Sequence, residues 1–264
     1  MAKSFDYGLE LTNNSKVGWA FGLPRTETCI NATDLCRRLC YGNGMRYQMP
    51  GQKARRGRNF RTCEFLLAEG GPELLAENLG MLVDQARPRD WLAARVTGIQ
   101  TNVPWTMRIH DVGDFYSADY VRAWAIVVQK YSGCKFWFYT RSFADVAVYE
   151  ALCELAALPN CQGFLSADSE NYELAILSLC KGGSNVWKLA LLQDKALDVN
   201  VLPAFEAMQK DVDIVSFPHH RNGRHAEPVR HGLLTLCPAA TGSLALKSQK
   251  DLLRPCQTCA FCLP

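Results

Sequence analysis

The spacing of apolar positions divides this chain into short continuous runs and longer interrupted stretches, and the two alternate from Trp105 onward. Short apolar runs read as buried strands, and stretches whose apolar residues return every third or fourth position read as helices. "WTMRI" (105–109), "KFWFYT" (135–140), "QGFLSA" (162–167), "NVWKLALL" (185–192) and "DIVSFP" (213–218) predict strands. Between them, residues 117–131, 143–156, 169–180 and 202–210 predict helices. Ser117 reads as the N-cap of the first, with Asp119 in its opening turn, and Ser142 with Asp145 has the spacing of a capping box for the second. Upstream, "VGWAFGLP" (17–24) predicts a first strand and "PELLAENLGMLVDQA" (72–86) a helix leading to the next.

Strands that recur at the spacing of a βαβ unit imply parallel pairing with helical crossovers. Six of them predict an α/β protein built as a partial (βα)6 barrel over residues 1–218, followed by a His- and Cys-rich extension over 219–264. A closed eight-unit barrel needs ~250 residues, more than lie between Val17 and Pro218. An open doubly wound sheet is the alternative, but no G-x-G-x-x-G follows the first strand, which argues against a dinucleotide-binding unit.

Composition adds cysteine chemistry. The 264 residues include 12 cysteines, no apolar run of spanning length and no apolar leader in "MAKSFDYGLELTNNSK". These features predict a cytoplasmic protein without membrane contact, in which clustered cysteines bind metal or do redox chemistry. Cys256, Cys259 and Cys262 form consecutive C-x-x-C steps, and Cys237-Pro238 supplies a fourth thiol upstream. That spacing favours an iron–sulfur cubane over zinc, whose structural sites use two separated C-x-x-C pairs. A second group, Cys29, Cys36 and Cys40, follows the first predicted strand. Three thiolates leave one iron open to an outside ligand, unless Cys63 closes the site. Cys134, Cys153, Cys161 and Cys180 read as small core hydrophobes.

Charge is local as well. The net charge is +3, yet residues 35–63 hold eight basic residues and no acid. Removing those eight leaves 21 of the 29 basic residues against 26 acidic ones. A nucleic acid or another anionic substrate is the partner this pattern predicts, with Arg55, Arg56, Arg58 and Arg61 as the contacts. At the C-terminal ends of the predicted strands, where α/β chemistry gathers, stand His110, Asp114 and Arg141, the candidate catalytic residues. "FPHHRNGRHAEPVRHG" carries four of the five histidines and reads as a metal-binding or solvated loop flanking the terminal cysteines.

Taken together, the C-x6-C-x3-C entry, "RIHDVGDFYSADYVRAW", "FYTRS" and the final CP…C-x-x-C-x-x-C resemble the phage and plasmid family called gene product 88. The matching positions are Cys29, Cys36, Cys40, His110, Gly113, Asp114, Arg141, Cys237, Cys256, Cys259 and Cys262. The resemblance implies a mobile-element protein that binds one or two [4Fe–4S] clusters and is distantly similar to radical S-adenosylmethionine enzymes, hence a TIM-like partial barrel. S-adenosylmethionine is then a candidate ligand, although the cysteine spacing departs from the C-x3-C-x2-C of those enzymes and no glycine-rich signature follows the first strand. The competing reading is a non-enzymatic nucleic-acid-binding or redox-sensing protein with structural clusters or zinc. Zinc-dependent hydrolysis ranks last, because no H-x-x-x-H spacing occurs.

Overall fold

A computed structural model describes residues 7–88, 104–183, 186–192, 212–217, 220–221, 224–225, 235–237 and 254–264. The predicted helix at 202–210 and most of the histidine-rich loop lie outside the described residues. The strands are β1 (Thr12–Asn14), β2 (Gly18–Ala20), β3 (Thr106–Arg108), β4 (Lys135–Thr140), β5 (Cys161–Ala167), β6 (Trp187–Leu192), β7 (Ile214–Phe217), β8 (His220–Arg221), β9 (Arg224–His225) and β10 (Thr235–Leu236). Eight of them form one sheet in the order β1-β2-β3-β4-β5-β6-β7-β10, and β8 pairs with β9 alone. Only β1–β2 is antiparallel in the main sheet, so seven strands run parallel. The order follows the chain without reversal. A doubly wound sheet reverses its order at a switch point, and this one does not.

The pleat sorts the side chains cleanly. Phe136, Phe138, Leu165, Trp187, Leu189 and Ile214 turn to one face and join the main core with the helices. Their neighbours Trp137, Tyr139, Phe164, Ala190, Val215 and Phe217 turn to the other. A strand buried on both faces is why "KFWFYT" shows no polar alternation.

The helical face is covered by α4 (Pro50–Gln85), α5 (Ala118–Lys130), α6 (Val146–Ala156) and α7 (Tyr172–Gly182), which follow the short α1 (Arg25–Thr28), α2 (Asp34–Leu39) and α3 (Met45–Gln48). The helix expected at 72–86 is the second half of α4. Gly70 and Gly71 break it with non-helical backbone, and Pro72 opens the second half. Ser117 caps α5 as expected, accepting from the Tyr120 amide. Asp145, not Ser142, caps α6 by accepting from the Val148 amide at 3.0 Å. Ser142 instead donates to the Phe115 carbonyl at 2.5 Å, inside a short 3-10 turn. The helix expected from 169 starts at Tyr172, because Asp168 and Glu170 serve other contacts.

The opposite face is covered by the chain's last segment, which includes α8 (Pro255–Cys259). Cys256, Phe261, Cys262 and Leu263 pack against Val17, Trp137, Tyr139, Phe164 and Phe217. Gln257 donates to Thr106 Oγ1 at 2.9 Å, and Lys135 Nζ donates to the Pro264 carbonyl at 2.8 Å. The terminal cysteines therefore belong to the sheet itself. Among the described residues, no helix is long and apolar enough to cross a membrane.

Candidate metal centres

The loop after β2 carries the first cysteine group across the C-terminal ends of the neighbouring strands. Beyond β2 the chain keeps pairing with the segment after β3, through Asp111 N to Phe21 O and Leu23 N to Val112 O, both 2.8 Å. Gly113 makes that approach feasible. Its φ is +93°, and a Cβ there would meet Leu23 Cβ at 2.6 Å and the Leu23 carbonyl at 2.9 Å. Thr28, at the end of α1, accepts from the Asp114 amide at 3.3 Å.

A buried polar network then fixes the loop. Arg141 Nη1 lies 2.7 Å from Asp168 Oδ2, with both side chains almost wholly buried. Thr33 donates to that same carboxylate oxygen at 2.6 Å, receives Arg141 Nη1 at 3.2 Å, and caps α2 by accepting from the Cys36 amide at 3.0 Å. Glu170 accepts from the Leu35 amide at 3.2 Å. Asp114 accepts from Thr140 Oγ1 at 2.7 Å, from the Arg141 amide at 2.8 Å and from the Phe115 amide at 2.8 Å. So the ends of β4 and β5 hold the cysteine loop by the side chains of Arg141, Asp168 and Glu170, and the β3 end holds it through the Asp114 amide.

Electrostatics links the three thiols. Burial, then Asp114, Cys36 and Cys40, push the Cys29 thiol well up. Burial also raises Cys36, against the pull of Arg141. The Gly42 amide donates to Cys40 Sγ at 3.3 Å, the kind of N–H···S contact that tunes thiolate-held metal centres. Cys63 is not part of this group. It is fully buried in the main core, beside Tyr116 and Tyr120.

The second group sits against the sheet's opposite face. Burial raises Cys262 to about 12, with Cys256 and Cys237 adding to it and the Tyr139 hydroxyl, 2.9 Å away, opposing. Burial raises Cys256 too, while Lys16 and Arg108 pull it down and Cys237 and Cys259 push it up. Cys40 and Cys262 are joined by contacts through Tyr41. The Tyr41 hydroxyl donates to the Asp111 carbonyl and receives Arg108 Nη2 at 3.4 Å. The Arg108 guanidinium lies 4.8 Å over the Tyr139 ring.

Among the described residues, no three His, Cys, Asp or Glu side chains already stand at metal-holding distances. The donor chemistry nevertheless fits a soft, thiolate-bound metal. Each group is all sulfur, its thiols feel one another, and cations stand beside them. Raised thiol pKa values mean that metal binding must release protons.

The other expected residues fall differently. His110 ends its strand at φ 131°, and its ring packs between Phe115 and Tyr120 in the helix-side core, with Nε2 2.8 Å from the Tyr120 hydroxyl. Burial first, then Arg108, pushes it down to about 3, so it stays neutral and cannot shuttle protons near neutral pH. Asp114 and Arg141 do reach the cysteine loop. In the basic segment, Arg55 and Arg58 pair with Glu10 at 3.1 and 2.5 Å, and Arg56 is buried, donating to the Tyr47 carbonyl. Of the four arginines expected to contact phosphates, Arg61 remains exposed without a carboxylate partner among the described residues. Cys134 and Cys161 are buried as expected, whereas Cys180 is exposed. Thr33, Lys16, Arg108, Tyr41 and Tyr139 escaped the sequence reading. Thr33 was legible as an N-cap before "DLCRR", and Arg108 as a cation inside an apolar strand.

The fold and these groups define a mostly parallel α/β protein that gathers cysteines both at its strand ends and on the sheet face covered by its last segment. The family model for gene product 88 matches residues 3–264, and the chain belongs to that family. It is 30% identical over 166 residues to the Gene 88 protein of Mycobacterium phage D29, covering 61% of this chain and 62% of that protein. It is 28% identical over 166 residues to the Gene 88 protein of Mycobacterium phage L5, covering 61% and 63%. The match thus spans somewhat less than two thirds of each relative. No solved structure matches the chain.

Replacing Asp168 with Ala leaves the buried Arg141 cation uncompensated. Urea unfolding of the metal-free protein should show a loss of about 3–5 kcal/mol. Adding Arg141→Met should recover much of it, and a loss within 0.5 kcal/mol, about that of an ordinary surface change, would mean the pair does not hold the loop.

Burial raises the Asp114 carboxyl from its ordinary 3.8 to about 6. A raised carboxyl binds more protons in the folded state, so its contribution is complete below pH 3.8 and lost as pH rises to about 6. Stability of the metal-free protein should fall across that window. Asp114→Asn should remove that part of the slope, and an identical pH profile for the two proteins would contradict the assignment.

Proposed function

We propose that this chain is an iron–sulfur protein of a mobile genetic element, with one centre at Cys29, Cys36 and Cys40 and a second at Cys237, Cys256, Cys259 and Cys262. The observation that carries this reading is the folding of two all-thiol groups, distant in sequence, against one sheet, the first beside buried Arg141 and the second beside half-buried Lys16 and Arg108. A parallel sheet in consecutive strand order, with the first group beyond the strand ends, supports the reading as an opened (βα) barrel with chemistry at that end. An iron–sulfur centre supplies one-electron transfer, and a three-thiolate centre leaves an iron open to a ligand such as S-adenosylmethionine. The chain's own residues do the positioning. Thr33, Asp168 and Arg141 hold α2 in place, and Asp114 ties the β3 and β4 ends beneath Cys29.

Protein purified without oxygen should be brown and contain iron and acid-labile sulfide in equal amounts. Cys256→Ala and Cys259→Ala should each remove one centre and spare iron at the N-terminal trio. Zinc without sulfide would overturn the reading, and loss of all iron in either variant would mean a single shared centre.

A second reading, nucleic-acid binding without catalysis, is favoured by one surface. Exposed Tyr41, Met45 and Met49 interleave with exposed Arg37, Arg38, Arg46 and Lys53 around the first cysteine group. A phosphate backbone tracking those cations, with a base against Tyr41, is the arrangement of single-strand binders. Affinity for single-stranded nucleic acid should then fall with salt by about 0.7 log units per log salt for each phosphate neutralised. Arg46→Ala with Lys53→Ala should flatten that slope, whereas Arg55→Ala should change it little. No binding at low salt would leave a small anionic substrate as the partner.

A further inference from the structure

Two cations converge on the C-terminal cysteine group: Lys16 has no ion-pair partner among the described residues, and Arg108 feels the Asp111 carboxylate without forming a close ion pair with it. Lys16, in the β1–β2 turn, places Nζ 3.5 Å from Cys237 Sγ and 5.5 Å over the Phe217 ring. Its own carbonyl accepts from the Cys256 amide at 3.2 Å, so the turn and the tail are clamped together. Arg108 enters from β3 on the same face, spread over Tyr139, whose hydroxyl touches Cys262. Arg108 Nε is buried and has no hydrogen-bond acceptor. Both cations stand close enough to Cys256 to favour its charged form.

Two half-buried cations on one patch repel each other, and a single carboxylate, Asp111, does not balance both. Four neutral thiols would leave that imbalance standing. Four thiolates around zinc, a dication, leave a doubly negative group, and four thiolates around an oxidised cubane leave the same charge. Two cations are the matching complement.

We propose that Lys16 and Arg108 are the paired counter-charges of a doubly negative thiolate–metal group held by Cys237, Cys256, Cys259 and Cys262. They are positioning residues that set how tightly this group is held and, for iron, how readily it accepts an electron. The proposal rests on the reading above only in needing a metal at these cysteines, and it holds for iron or zinc alike. It also explains why a cation stands inside the otherwise apolar strand "WTMRI".

The test uses the full chain with its metal in place. Lys16→Met and Arg108→Met keep the packing stems and remove the charge, while Lys16→Arg and Arg108→Lys keep the charge. Metal retained per chain is measured under chelator competition. Each Met variant should weaken retention at the C-terminal group at least tenfold and the pair more, with the charge-keeping variants within threefold of the parent. Where the metal is iron, the midpoint potential of that centre should drop by about 59 mV for each tenfold loss in the one-electron equilibrium. Loss of a merely structural side chain would not move the potential and would not be rescued by the conservative variants. Unchanged retention in the double Met variant, or equal loss in the Lys and Met variants of Arg108, would overturn the proposal. Zinc in place of iron would defeat the iron–sulfur reading and leave this one standing, and a parent chain holding no metal at these cysteines would defeat both.

Discussion

A parallel sheet must be covered on both faces, because each strand carries apolar side chains on both. In this protein the constraint is met unequally. Helical crossovers cover one face with a large continuous core, but no residue of α4 to α7 joins the apolar clusters on the other face. Trp137, Tyr139, Phe164, Val215 and Phe217 would stand in water there unless some further segment covered them. The final residues do so, and because they carry Cys256 and Cys262, covering the sheet and assembling the thiol group are one event.

The strand ends work by a different device. Loops that carry chemistry need a rigid support, and here the support is a buried ion pair with a hydroxyl between its partners. Thr33 touches both Arg141 and Asp168 while capping α2, so one small side chain joins helix initiation, loop position and charge compensation. Such an arrangement contributes little net stability against an apolar alternative, but it specifies one geometry. The requirement for Gly113 belongs to the same design, since the close approach of the β2 and β3 extensions leaves no room for a side chain.

The two thiol groups also share an intermediate. Arg108 contacts Tyr41 on one side, directly after Cys40, and Tyr139 on the other, directly against Cys262. A half-buried cation in that position, its Nε out of water, is screened less than a surface one. Charge at either group is therefore felt at the residue between them, and the residues that carry this contact come from β3, β4 and the first cysteine loop.

The sequence by itself determined the alternation of strands and helices, the parallel class and the Ser117 cap. Those are properties of period and spacing, which act locally along the chain. Tertiary structure decided which polar residues meet. His110 and Arg141 both end apolar strands, yet one ring turns into the helix-side core and stays neutral, while the other side chain finds Asp168 across the sheet. Arg55, Arg56, Arg58 and Arg61 are indistinguishable as a charge run, but helical geometry sends Arg56 inward and gives Arg55 and Arg58 to Glu10. Lys16 and Arg108 carried no signal of a shared partner, being 92 positions apart in the chain. Only the folding of the tail onto the sheet brings Cys237 to Lys16, Cys262 to Arg108 and Cys256 to both, because burial and long-range pairing, unlike periodicity, exist only once the sheet has formed.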